Sequence, residues 1–487
     1  MRHRCRRFVP IALLCAAPLG GAAFAASTTP PAVSADAPYS TLARDIFREL
    51  IEINTTDSPA GNVTTAAEAM AKRLRDAGFA AADIQVLGPN DRKKNLVVRL
   101  RGTGKHKPML LVGHLDVVEA KREDWTTDPF EFIEKDGYFH GRGTQDMKDG
   151  DAIMMTALIR LKKDGFRPSR DIILALTADE EGGAFNGVDW LFKNHRELVD
   201  AEFALNQDGS SIESEHGRPV VYKLESSEKV YADFLLSTTN PGGHSGRPRP
   251  DNAIYDLVDG LGRLAKYEFP FELNTMTRAY FEGMGKIATG QRAADLQAIL
   301  KTPADPAAIA RVSVDPIEHS MSHTTCVATR LDGGHANNAL PQRASAIVNC
   351  RILPGHSPEE VRQDLIRVVA SPKIRVQYVA DDGVTVLDKA TDRKGFPPPP
   401  LRPDLLQALQ KLVGEFWPGL PVIPSMSTDA SDDVFLNEAG VTSYDATGIA
   451  IDSDQHRAHG KDERLGVQSF YTGNEFFYRF VKALATQ

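Results

Sequence analysis

Hydrophobic positions along this chain fall into two alternating textures. Leu42, Ile46, Phe47 and Leu50 recur at the spacing of an amphipathic helix, which predicts that order begins near Ser40. A second stripe of this kind runs over 62–77 and is stopped by Gly78. Apolar runs of strand length follow at 95–100, 109–113, 171–177 and 203–206. Between them Ile153, Met154, Ala157, Leu158 and Leu161 predict a helix over 150–164. Strands alternating with helices predict an α/β layer fold with a mostly parallel central sheet.

The texture changes after about Tyr222. A strand is predicted at 230–238, followed by a turn-rich segment at 240–250 and further helical patterns. Strands at 324–331 and 344–353 and a helix at 359–369 suit a small α+β domain. Four consecutive prolines, 397–400, then form a stiff connector. Beyond them a helix is predicted at 405–416, and the α/β texture resumes. The simplest organisation is a catalytic domain in two pieces, 40–228 and 394–487, interrupted by an inserted domain at 229–393.

Composition narrows the class. With 42% hydrophobic and 25% charged residues over 487 positions, the chain is neither disordered, collagen-like nor a coiled coil. Arg2, Arg4, Arg6 and Arg7 precede an apolar run at 8–19 and a small-x-small end at Ala23-Phe-Ala25. This predicts a signal peptide at 1–25, a flexible lead-in at 26–39, and export to a periplasm or the medium. The apolar run is too short to span a bilayer, so no lasting membrane anchor is expected. The formal charge is −8, and without the basic leader it is −12. An acidic body argues against nucleic acid as a partner. Outside the leader only Cys326 and Cys350 remain. They could pair in an oxidising compartment, but neither spacing nor periodicity brings them together, and two buried thiols are the preferred reading.

The informative polar residues stand where apolar strands end. The run 110–113 leads into His114-Leu-Asp116, the run 171–177 into Asp179-Glu180-Glu181, and the run 203–206 into Asp208-Gly209. In open α/β sheets ligands bind beyond the carboxyl ends of strands, so three such ends carrying acids or imidazole point to a site. Gly141-Arg-Gly-Thr-Gln-Asp146-Met-Lys-Asp149-Gly150 opens the next helix, with glycines that allow tight turns. There Asp146 or Asp149 could equally be a helix cap. His459-Gly-Lys-Asp-Glu463 adds an imidazole near the C-terminus. His114, Asp146, Glu181, Asp208 and His459 together form the mixed nitrogen and oxygen set that zinc favours, with cobalt or manganese less distinctively served. A second carboxylate, Glu180, would be free to act as a general base.

In this order the motifs resemble the zinc exopeptidase and aminoacylase family, which includes glutamate carboxypeptidase, carboxypeptidase S, carnosinase and succinyl-diaminopimelate desuccinylase. The likeness runs from about Leu42 to the end of the chain. It implies a catalytic domain interrupted by a lid and dimerisation domain, and two Zn2+ per chain, with Co2+ or Mn2+ as substitutes. It further implies that His114 and Asp208 serve one zinc, Glu181 and His459 the other, and Asp146 both. Asp116 would hold the His114 ring, and Glu180 would be the general base. His244, in Pro241-Gly-Gly-His-Ser-Gly246, matches a lid histidine that approaches the scissile carbonyl, and in dimeric relatives it comes from the partner chain. Asn338 and Arg351 match lid residues that contact the substrate carboxylate.

The function implied is an exported dinuclear zinc hydrolase that cleaves amide bonds of peptides or N-acyl amino acids beside a free carboxylate. A carboxypeptidase or dipeptidase ranks first and an aminoacylase second, and a homodimer through the lid is allowed. A non-catalytic binding protein on this fold would be signalled by a lost ligand or a broken Glu180-Glu181 pair, and neither is missing. One departure stands out: Ser431-Asp-Asp-Val434 places valine where many relatives carry an arginine near the substrate.

Overall fold

The computed structural model describes residues 33–380, 383–392 and 394–486. The leader expected at 1–25 lies outside the described residues. Order begins with the helix Pro38–Glu52, which buries Ile46, Phe47 and Leu50, followed by Val63–Asp76. The strand runs read from the sequence appear as Asn95–Leu100, Met109–His114, Ile172–Thr177 and Phe203–Asn206.

These strands belong to a ten-stranded mixed sheet. Met109–His114 lies between Ile172–Thr177 and Phe203–Asn206 and runs parallel to both. Thr442–Asp445, from the returning C-terminal part, adds in parallel beside Phe203–Asn206. Asn95–Leu100 joins the other side antiparallel, so the parallel character is confined to part of the sheet.

Alternate residues of the central strands feed two separate cores, as the two-residue period of a strand requires. Leu111, Leu174 and Leu176 pack on one side with Phe47, Leu158 and Phe477, from the helices Pro38–Glu52, Lys148–Lys163 and Val467–Leu484. Leu110, Val112, Ile173 and Ala175 pack on the other with Val188, Leu191 and Leu436. Covering both faces explains the near-continuous apolar runs. It also leaves the strand ends as the only place where these strands can present polar groups.

The inserted segment builds a separate five-stranded antiparallel sheet, ordered Thr325–Gly333, Arg343–Ile352, Val230–Thr239, Arg375–Val379, Val386–Leu387. Phe234, Leu236, Ala346 and Val348 cover its single core with Leu257, from the helix Ala253–Leu264, and Leu365, from Pro358–Val369. The expected insertion at 229–393 is not uniform, however. Four helices between Thr275 and Ser322 intervene, and their Tyr280, Phe281, Leu296 and Met321 pack with Val221 and Ile423 of the large sheet. A helical stripe shows that a face is buried, but not which sheet buries it.

The thiol expectation is corrected. Cys326 and Cys350 are direct partners in the antiparallel pairing of Thr325–Gly333 with Arg343–Ile352 and form a disulfide, with Cα atoms 4.1 Å apart. Strand register, which spacing along the chain does not reveal, makes them neighbours.

Candidate metal centre

Because Met109–His114, Ile172–Thr177 and Phe203–Asn206 are parallel, their carboxyl ends share one edge. His114, the Glu180-Glu181 pair and Asp208 therefore meet there. Asp146 arrives from the turn before the helix Lys148–Lys163. Two glycines shape that turn: Gly141 and Gly143 have φ of +150° and +90°, and a Cβ on Gly141 would lie 2.6 Å from a methyl of Ile51. Neither Asp146 nor Asp149 caps the helix: Met147 holds the N-cap position, without a side-chain hydrogen bond.

Asp146 occupies the centre. Its Oδ1 lies 3.1 Å from His114 Nε2 and its Oδ2 lies 3.0 Å from His459 Nε2. His459 Nε2 is also 2.9 Å from Glu181 Oε2. Two donor groups result, His114–Asp146–Asp208 and Asp146–Glu181–His459, and within each the ligand atoms lie within 4.8 Å of one another. Glu180 belongs to neither group, and its Oε2 stands 3.8 Å from His114 Nε2.

Burial and mutual charge shift the proton affinities of this cluster. Burial alone would depress the His114 ring, but the carboxylates of Asp146, Glu180 and Asp116 outweigh it and raise its proton affinity. His459 is pushed up to about 10 by Asp146 and Glu181. Burial raises Asp146 too, but the adjacent His114 and His459 imidazoles prevail and hold it low. Burial, reinforced by Asp146, raises Asp208. Burial raises Glu180 as well, with Asp208, Asp432 and Glu181 adding to it and His114 opposing. The donor set fits a divalent ion at each group: imidazole nitrogen and carboxylate oxygen are zinc ligands, and buried His114 Nε2 has no aligned hydrogen-bond partner.

Supporting contacts come from Asp116 and from residues the motifs did not assign. The Asp116 carboxylate accepts the backbone N–H groups of Glu180 at 3.2 Å and Glu181 at 3.0 Å. His114 Nδ1 instead donates to the Asp116 backbone carbonyl at 3.0 Å, while the carboxylate is 3.9 Å away. Asp116 thus orients the ring through its main chain and the acidic pair through its side chain. Asp432 accepts hydrogen bonds from Thr177 Oγ1 at 3.1 Å and Asn186 Nδ2 at 2.6 Å, pinning both ends of the loop that carries Glu180. Buried Lys93 pairs with Asp179 of the same loop. The only sequence signal for Asp432 is its place in Ser431-Asp-Asp-Val434. Lys93 and Asn186 carry none.

The three residues assigned to the lid make contacts elsewhere. His244 sits in a short ribbon in which Gly243–His244 pairs with Ala339–Leu340, and the Asn338 carbonyl accepts from Ser245 N at 3.0 Å. His244 and Asn338 are both exposed. Arg351 lies on Arg343–Ile352, with its guanidinium carbon 4.9 Å from the centre of the Tyr231 ring. No hydrogen bond or ion pair among the described residues joins these three to the His114–Asp146 cluster.

An acidic group shared between two imidazole-bearing donor sets, at the carboxyl edge of an open α/β sheet, is a candidate metal centre. Residues 110–483 match peptidase family M20/M25/M40, and the chain belongs to that family. It is 28% identical over 386 residues to a probable carboxypeptidase S-like protein of Dictyostelium discoideum, covering 77% of this chain and 71% of the relative. It is 26% identical over 392 residues to the N-fatty-acyl-amino acid synthase/hydrolase of Homo sapiens, covering 77% and 74%. Its fold matches an M20 family metallo-carboxypeptidase of Sulfolobus solfataricus with a TM-score of 0.68 at 15% identity, over 91% of this chain and 99% of the other.

Proposed function

We propose that this protein is an exported exopeptidase of the carboxypeptidase or dipeptidase kind, cleaving the amide bond next to a residue with a free carboxylate. The observation that carries this reading is Asp146, shared between two donor groups while Glu180 stands beside them uncommitted. Two Zn2+ ions, replaceable by Co2+ or Mn2+, would be held by His114, Asp146 and Asp208 and by Asp146, Glu181 and His459, and would supply Lewis-acid polarisation of the amide carbonyl and acidification of water.

The remaining work falls to side chains. Glu180 takes the proton of the attacking water on a carboxylate oxygen and returns it to the departing amine nitrogen. The Asp116 carboxylate holds the backbone of Glu180 and Glu181 at the edge of the site. His244 would donate to the developing oxyanion, and Asn338 and Arg351 would bind the substrate carboxylate, which requires the lid to move over the sheet edge. Export is supported by the Cys326–Cys350 disulfide, a bond suited to oxidising compartments.

A second reading, hydrolysis of N-acyl amino acids, is favoured by one observation. Val434 replaces the arginine expected near the substrate, and an apolar side chain suits an acyl group better than a charged one. One experiment tests both readings: hydrolysis of dipeptides, C-terminally extended peptides and N-acyl amino acids by zinc- and cobalt-loaded protein, alongside Glu180→Gln. The expected outcome is turnover of substrates with a free carboxylate, and a loss of about 100- to 10,000-fold in kcat with metal retained in the variant. Equal turnover by Glu180→Gln would remove Glu180 from its role. Preference for N-acyl over peptide substrates would select the second reading.

A further inference from the structure

His114 and His459 are held in different ways. His114 ends a central strand, and its side chain is 2% exposed. His459 lies in the loop between the strands Ala450–Asp452 and Arg464–Gly466, with φ of +61° and a side chain 56% exposed. Neither strand nor helix fixes it, so its position depends on what ties down its loop.

Several contacts tie it: Thr126 donates to the Asp462 carboxylate from its backbone N at 2.8 Å and its Oγ1 at 2.9 Å, and Gln145, Glu463 and Arg142 hold the rest. Gln145, beside Asp146 and 4% exposed, uses its whole amide on this loop. Its Nε2 donates to the carbonyls of Gln455 at 2.8 Å and Arg464 at 2.7 Å. Its Oε1 accepts from the backbone N–H groups of Arg457 at 2.8 Å and Ala458 at 3.2 Å. Two donors facing two carbonyls and one oxygen facing two N–H groups leave a single workable amide orientation. Glu463 completes the tie from the other side. Its buried carboxylate accepts from Gln145 N at 2.6 Å, Arg142 Nη1 at 2.5 Å and Gly143 N at 3.3 Å. Arg142 Nη2 reaches the His459 carbonyl at 3.4 Å.

We infer that Gln145, backed by Glu463, is a positioning residue that sets the affinity of the cation position served by His459, and so makes the two cation positions unequal. This rests on the two-cation reading above. The His114–Asp146–Asp208 position draws His114 and Asp208 from the ends of sheet strands and takes its imidazole from outside the 455–464 loop. The Asp146–Glu181–His459 position depends on it entirely for its imidazole. Replacing Gln145 removes four bonds to that loop but leaves the backbone bond from Gln145 N to Glu463, so Asp146 keeps its own support.

The test is titration of the metal-free full chain with Zn2+, followed by calorimetry, and with Co2+, followed by visible absorption. Gln145→Met, which keeps length but forms none of the amide bonds, and Gln145→Ala are compared with wild type. Two equivalents are expected throughout, with the first unchanged and the second about 10- to 100-fold weaker in the variants. Hydrolysis by the variants should recover at zinc concentrations that refill the weaker position, which a general folding defect would not allow. Equal weakening of both equivalents, or two wild-type equivalents in both variants, overturns the role of Gln145. A wild-type chain that takes up one equivalent overturns the two-cation reading itself, and the inference with it.

Discussion

Glu359 begins the helix Pro358–Val369 in the lid, where its carboxylate accepts from the Arg362 guanidinium at 2.8 Å, Gln363 at 2.7 Å and Ala390 N at 2.8 Å. The Arg362 bond, with Gln363 and Ala390 adding to it against burial, holds this carboxyl at about 2 instead of the ordinary 4.5. The unfolded chain therefore binds the proton more readily, and this contribution to stability is complete above about pH 4.5 and lost as the pH falls toward 2. Thermal unfolding should show Glu359→Gln less stable than wild type at pH 6, with the gap closing by pH 2 to 3. A gap independent of pH would count against the charge as the cause. Glu180 is the opposite case: it is buried without a guanidinium beside it, and burial raises its proton affinity. The two glutamates are indistinguishable as letters, and their surroundings hold one as an anion and raise the proton affinity of the other. The candidate donor set was legible because each member stands at a strand end or in a motif. The partners Asp432, Lys93 and Asn186 were not, because a hydrogen bond between distant residues leaves no periodic trace.

The edge strand Thr325–Gly333 shows what an element can add. Its outer residues Val327 and Leu331 are exposed, and in the sheet it pairs with Arg343–Ile352 alone. The Cys326–Cys350 bridge fastens this edge across 24 residues of chain. A loop of that size implies about 3 kcal/mol of stabilisation through the entropy of the unfolded state. The double variant Cys326→Ser, Cys350→Ser should unfold at lower temperature than wild type, and reductant should lower the wild-type midpoint without affecting the variant. A wild-type midpoint indifferent to reductant would argue that the bridge contributes little. The elements themselves followed from periodicity: Asn95–Leu100 and Phe203–Asn206 have the bounds their apolar runs predict. The pairing of Cys326 with Cys350 did not follow, since register belongs to two strands at once.

For the whole molecule, the acidic excess has a purpose at one place. Asp146, Glu180, Glu181 and Asp208 converge on a single sheet edge beside His114 and His459. Cation binding to the folded chain alone should stabilise it by mass action, by about 2.7 kcal/mol per site at a free concentration one hundred times the Kd. Chelator should lower the unfolding midpoint, and added zinc should raise it in proportion to the logarithm of its concentration. A midpoint that responds to neither would contradict a cation site.

At this scale the division between chain and fold is clear. The alternation of apolar runs and amphipathic stripes determined an α/β layer protein, because burial on two faces imposes a composition that can be read locally. The residues after those runs marked the site, because a sheet covered on both faces can offer polar groups only at its ends. Three things were decided by tertiary structure alone: the packing of the helices between Thr275 and Ser322 on the large sheet, the Cys326–Cys350 pairing, and the hold of Gln145 on the His459 loop. Each joins segments far apart along the chain, and their proximity is set by how whole elements pack rather than by any pattern within one of them.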